Sequence, residues 1–372
     1  MFRRGHWSLT YGLDDLVNRF SRSKKGGNAP AGAKGTAPET ISEHVPWLDT
    51  AKGIGIILVV YGHQLRAQMA AGKVEGSWHA STQDAIIYSF HMPLFFLISG
   101  LTIAKVFRRR KLNRYIRSRL INLMYPYVLW SFLSLVLAVE GRRYVQHQVG
   151  LNDFISIWWR PLFQFWFLYA LFICQIIFAL LRGIRSLVLI LAVVLLVVPV
   201  DLSSPILIDV VKSFPFFAAG VLFSSRLTSL GSCPRMSLIG IGLLSCAIFT
   251  FVFTVRNIFN VYSGPSDFVL AGSGILAVLT ISALIFRQSP LLTLLGTYSM
   301  AVYVLHTIVA VGVRSVLAST ALRDFQILEM TICITAGLIL PVGIQRCLRQ
   351  MGLVWLSGLG GPSKSLSRRK EN

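Results

Sequence analysis

Residues 47–63 read WLDTAKGIGIILVVYGH. Two charges, Asp49 and Lys52, stand near the start, an apolar run follows, and His63 closes the stretch. An ionisable group inside an apolar segment is expensive in lipid, so it faces a protein interior or a wet cavity and is a functional candidate. The fourteen positions from Asp49 to His63 rise ~21 Å as a helix, too far for the two side chains to touch. Fourteen positions make almost four turns, however, which sets both near one stripe of the helix. That stripe is a candidate lining for a path from the membrane surface into the bilayer.

The rest of the chain agrees with a membrane setting. Hydrophobic residues make up 54% of the 372 and charged ones only 14%, too little polar surface to cover a soluble globule. Ten apolar stretches approach the ~20 residues a helix needs to cross the hydrocarbon core. They lie at about 51–68, 84–104, 120–139, 162–181, 184–200, 206–223, 236–255, 266–286, 292–313 and 327–345. The expected fold is therefore all-α: a polytopic integral membrane protein of about ten transmembrane helices. Residues 1–45 read as a disordered basic tail in a Gly/Ala/Ser/Pro-rich background, 46–349 as the membrane domain and 350–372 as a C-terminal tail. Within the first tail, WSLTYGLDDLVNRF is either an interfacial helix or plain disorder. No apolar run follows closely on the basic start, so no signal peptide is expected.

The formal charge of +21 does not point to nucleic acid, because the basic residues gather at segment ends rather than in a soluble patch. With the N-terminus inside, most of the 36 Lys and Arg fall on inner segments, which predicts both termini in the cytoplasm. The five cysteines form no CxxC and have no His partner at ligand spacing, so they read as buried small hydrophobes and one inert thiol. Walker and GxGxxG loops and carboxylate clusters are absent from the sequence, and neither a metal nor a permanently bound cofactor is expected.

Two further histidines share the setting of the first. Helical rise places His63, His91 and His306 at similar depth, with Pro93 loosening the backbone beside His91. Each alone reads as a core histidine bonded to a backbone carbonyl; three at one level point to a polar chamber. The basic stretch Lys105–Arg119, KVFRRRKLNRYIRSR, has two readings. Arg108, Arg109 and Arg110 suit an anchor on anionic headgroups. Arg114, Arg117 and Arg119 run into the next span, where guanidinium forks suit the phosphates of a nucleotide-like donor, and Lys52 is a further candidate contact for it.

WLDTAKGIGIILVVYGH, YSFHMPLFFLISGL, YIRSRLINLMYPYVLW, FWFLYALF and GTYSMAVYVLH occur in this order. Together they resemble the landmarks of the membrane-bound acyltransferase 3 family, especially its polysaccharide and sugar O-acetylase branch, over residues 46 to about 345. The resemblance implies a core of about ten helices. It implies transfer of an acetyl or other short acyl group from cytoplasmic acyl-CoA, acetyl-CoA above all, to a sugar hydroxyl of an extracytoplasmic polysaccharide or glycolipid. It implies catalysis by His63 and donor binding at Arg117 and Arg119. Asn122 stands where many members carry another basic residue, and no soluble esterase-like domain is appended, so the membrane domain is expected to act alone or with a separate partner. The partners that go with this resemblance are a second copy of the chain or polysaccharide-assembly machinery.

The chemistry of the residues fits this. Acyl transfer to an alcohol needs a base or a nucleophile, and neutral imidazole serves as either near pH 7. Developing carbonyl charge needs donors, for which Tyr61, His91, Trp166 and His306 are candidates, with Asp49 a supporting residue at the membrane surface. Glycines 53, 62 and 100 serve helix packing or admit the pantetheine arm of the donor close to backbone. The competing reading is a secondary transporter of a small solute or lipid-linked sugar. A cation- or proton-coupled carrier is disfavoured because we read no convincing internal repeat and no Asp or Glu inside the membrane.

Overall fold

The computed structural model describes residues 45–74, 78–107, 111–140, 151–181, 184–198, 203–260, 263–320, 322 and 325–359. The N-terminal stretch WSLTYGLDDLVNRF and the run Arg108–Arg110 lie outside the described residues, which are helical and contain no strand. In chain order the helices are α1 (Pro46–Ala70), α2 (Trp78–Phe107), α3 (Leu112–Arg119), a π turn (Leu120–Met124) and α4 (Tyr125–Glu140). Then come α5 (Leu151–Ser156), a 3-10 turn (Phe163–Phe165), α6 (Trp166–Leu180), α7 (Arg185–Val197) and α8 (Pro205–Leu222). The last are α9 (Ser224–Thr228), α10 (Arg235–Phe259), α11 (Gly264–Ile285), α12 (Pro290–Thr297), α13 (Ser299–Leu317) and α14 (Gln326–Gln350).

Among the described residues eight helical stretches are long and apolar enough to cross a membrane. With α1 and the apolar α7 they make ten hydrophobic passages in the expected places, and the protein is an all-α polytopic membrane protein. At 13 residues α7 rises only ~20 Å, short of the ~30 Å core.

α1 is the axis of the bundle. It begins on Pro46, whose fixed φ and missing N–H suit a first helical turn, and it packs against α2, α11, α12, α13 and α14. Its crossing with α12 is close because two glycines face each other there. A Cβ at Gly53 would overlap the Leu292 carbonyl, and one at Gly296 the Asp49 carbonyl. Thr50 and Thr293 share a hydrogen bond of 3.0 Å across the same contact. Gly100 of α2 meets the backbone of α8 at Phe217 in the same way. Gly53 and Gly100 thus serve packing, and the space a donor arm would need beside them is filled by the neighbouring helix.

Two expected elements differ in detail. The basic stretch becomes helical from Leu112 and runs through the π turn into α4. Pro126 explains the turn: it offers no N–H to the carbonyl four residues back and clashes with it, and an i→i+5 turn absorbs the misfit. The ninth span is split at Tyr298 (φ −97°, ψ 10°), just after Gly296, into α12 on α1 and a separate α13. The start of the expected C-terminal tail, residues 351–359, is docked. Trp130 Nε1 donates to the Ser357 carbonyl (2.8 Å), Tyr125 to that of Leu356 (2.7 Å) and Gln345 to that of Leu359 (2.8 Å).

Candidate functional site

Packing of α13 on α1 brings His306 to His63, with ring centroids 5.1 Å apart and ring planes tilted by 56°. Gly337 of α14 lets three helices meet here, since a methyl group at that position would touch both Val60 and His306. His306 is fully buried. Its Nδ1 lies 2.9 Å from the Val302 carbonyl and 2.8 Å from that of Tyr303. Carbonyls only accept, so Nδ1 carries the proton and Nε2 keeps its lone pair. That Nε2 is shut off from solvent and meets no hydrogen-bond partner among the described residues. A buried acceptor left in this way is costly, and its ring faces the second imidazole.

His63 differs from His306 in being reachable. It lines a cavity of about 1050 Å³ that takes no residue of α1 before it, so along α1 the cavity starts at His63 and extends away from Asp49. Gln64 and Gln68 of α1, Thr307 of α13 and Gln164 add polar groups to the wall. Leu137 and Ala138 of α4 and Val311 and Leu317 of α13 make it apolar elsewhere.

Charges close the far end. Glu329 of α14 is 2% exposed. Arg314 Nε donates to its Oε1 at 2.9 Å, and Lys73 forms an ion pair with Oε2. Arg314 Nη2 also donates to Gln64 Oε1 at 2.8 Å, so one guanidinium ties α1, α13 and α14 together around the cavity. Glu329 corrects the expectation of no acidic residue within a span. It sits in the first turn of the tenth passage, where its two cationic partners meet the cost of burial. Arg314 falls two turns beyond Thr307 on one face of α13, a signal that helical spacing carries.

Phe163 is the strained member of the site. Its φ of +53° is unusual for a bulky side chain, and it is 41% exposed in the cavity wall. Gln164 holds it there: its carbonyl accepts from the Tyr303 hydroxyl, and its Nε2 donates to Thr307 Oγ1 at 2.7 Å.

The other sequence candidates lie elsewhere, and none of them lines the cavity. Buried His91 donates from Nδ1 to the Ile87 carbonyl at 2.7 Å and meets the edge of Tyr88 at 4.6 Å. Tyr88 lies under the Arg66 guanidinium, 3.1 Å from the ring centre, and Arg66 is forked to Asp84 at 2.7 and 3.0 Å. Tyr61 donates to Gln83 at 2.5 Å. Trp166 stacks on Phe96 with centroids 6.5 Å apart. Asp49 is buried and pairs with Lys52 at 2.5 Å, next to the α12 crossing. Arg114 and Arg117 are exposed on α3, while Arg119 is half-buried, 3.0 Å from Ser118 Oγ and with its guanidinium 5.3 Å from the centre of the buried Tyr115 ring.

A family model described as an acyltransferase domain matches residues 45–346. The nodulation protein NolL of Mesorhizobium japonicum is 28% identical over 229 residues, 60% of each chain. The nodulation protein NolL of Sinorhizobium fredii is 31% identical over 184 residues, 48% of each. The match spans about half to three fifths of the length of these curated relatives. No solved structure matches.

Proposed function

The chain belongs to the acyltransferase 3 family, and from that membership we propose that it is a membrane O-acyltransferase. It moves an acetyl or other short acyl group from cytoplasmic acyl-CoA to a sugar hydroxyl of an extracytoplasmic polysaccharide or glycolipid. The observation that carries this reading is the pair His63 and His306, one imidazole opening on a cavity of mixed polar and apolar wall and the other locked behind it with a free lone pair.

On this reading the N-terminus and α3 lie on the cytoplasmic side of a bacterial inner membrane, and the end bearing Lys73 and Arg314 lies outside. The acceptor occupies the cavity. His63 takes the proton of the sugar hydroxyl while that oxygen attacks the thioester carbonyl. The C–O bond forms, the C–S bond breaks, and the departing thiolate recovers the proton from the imidazolium. His306, in ring contact with His63 and with an Nε2 unpartnered among the described residues, is the group placed to take a hydrogen bond from the base as His63 becomes charged, which would steady that form. Arg114, Arg117 and Arg119 receive the donor phosphates, with Lys52 near the same surface. From Ala51 to His63 the helix rises ~18 Å, a distance for the pantetheine arm to cover.

Inside-out vesicles supplied with radiolabelled acetyl-CoA test the proposal. Label in a glycan or glycolipid, released by mild alkali as an ester would be, is the expected result. Solute uptake without acylation would replace the enzyme by a carrier.

A further inference from the structure

Resting on the acyltransferase reading, we propose that the acceptor is a lipid-anchored glycan whose hydrocarbon chain enters the cavity sideways, between α4 and α13. The first observation is how α4 is held. It packs on the π turn before it and on α5 and the 3-10 turn after it, whereas α13 packs on α1, α12 and α14. Among the described residues α4 and α13 make no substantial interface with each other, yet Ser134 and Leu137 of α4 and Val311 and Gly312 of α13 line one cavity. What separates the two helices is the cavity itself.

The second observation is the chemistry along it. Leu137 is 43% and Val311 38% exposed, both line the cavity, and both stand in apolar stretches long enough to cross a membrane. The mouth is therefore apolar and at bilayer level. Beyond it the wall turns polar, with His63, Gln164 and Thr307. Ser134 Oγ, on the same wall, is shut off from solvent and has no partner among the described residues. A ligand with a hydrocarbon chain and a hydroxyl-rich head matches both parts, and a sugar hydroxyl would satisfy Ser134. A wholly water-borne polysaccharide gains nothing from the apolar mouth.

Gly312 provides the test, because a Cβ there would project into open space. Gly312→Leu should fold normally and narrow the mouth. Membranes containing the full-length protein are given radiolabelled acetyl-CoA, and the product is divided by organic extraction. Wild type should label the extractable lipid fraction, and Gly312→Leu should lower that label at least tenfold at an unchanged melting temperature. Separately, a dodecyl glucoside with a diazirine in its chain should photolabel peptides containing Leu137 or Val311, less in Gly312→Leu. Label confined to unextractable polysaccharide, or undiminished lipid label in Gly312→Leu, overturns the inference while leaving the enzyme reading intact. If no acetyl is transferred to anything, the enzyme reading fails and the photolabel decides: crosslinks at the mouth support lateral entry, and crosslinks elsewhere or none overturn it.

Discussion

His63 and His306 meet with ring centroids 5.1 Å apart although 243 residues separate them, because α13 lies along α1 where Gly337 lets α14 approach both. One is exposed to the cavity and the other is bonded through Nδ1 to its own helix. The two imidazoles therefore have different roles to test.

His63→Ala should lower acyl transfer by about 10²–10⁴-fold, the range expected for loss of a general base, in protein that still inserts and melts as wild type does. Turnover at the wild-type rate by correctly assembled His63→Ala would remove this residue from the mechanism. His63→Gln, polar but without a base, should be nearly as inactive.

His306 acts through His63, so His306→Gln should lower kcat more than it raises KM and should alter the pH profile of kcat. In the double variant the losses should fall well short of adding, as they do for residues working as a unit. Fully additive losses would make His306 a packing residue.

Arg117→Ala and Arg119→Ala should raise the KM for acyl-CoA, and Lys should rescue only in part because a point charge does not reproduce the guanidinium fork. Arg119, beside the buried Tyr115, should also lose stability, whereas exposed Arg117 should not. Arg108→Ala and Arg109→Ala should affect insertion or lipid binding. If all four variants show the same KM, the stretch serves as an anchor.

Removing Arg314 leaves Glu329 buried with Lys73 as its remaining ion-pair partner in this network. Arg314→Ala should destabilise the protein by up to about 3–5 kcal/mol, the range for a broken buried pair. Arg314→Gln combined with Glu329→Gln, which strands no charge, should recover much of this. Denaturation in detergent reads both, and equal stability of the two variants would show that the pair holds nothing together.

Phe163→Gly relieves a left-handed backbone that costs of order 1–3 kcal/mol in a bulky residue and deletes a ring from the cavity wall. A higher melting temperature together with a raised KM for the acceptor is expected, and Phe163→Tyr should keep the acceptor KM. Unchanged acceptor kinetics in Phe163→Gly would make the strain structurally incidental.

Much of the fold was legible because lipid allows so few solutions. A chain that must satisfy its backbone internally forms helices where apolar residues run for about 20 positions, and among the described residues eight stretches long and apolar enough to cross, with α1 and the short α7 beside them, lie where composition put them. The cost of an ionisable group in such a run also singled out His63, His91 and His306 as candidates. Sequence by itself could not choose among three histidines at similar depth, because depth follows from helical rise along one chain segment while proximity depends on which helices pack. Tertiary structure put His306 against His63, closed His91 onto Ile87 and Tyr88, filled the space beside Gly53 with α12, and assembled Gln64, Arg314 and Glu329 from three helices. The break at Tyr298 and the stand-off of α4 were equally beyond an apolar pattern. Hydropathy determines that a helix crosses the membrane; close contacts between glycines and buried polar partners determine which face it turns to which neighbour, and the cavity exists only between faces so placed.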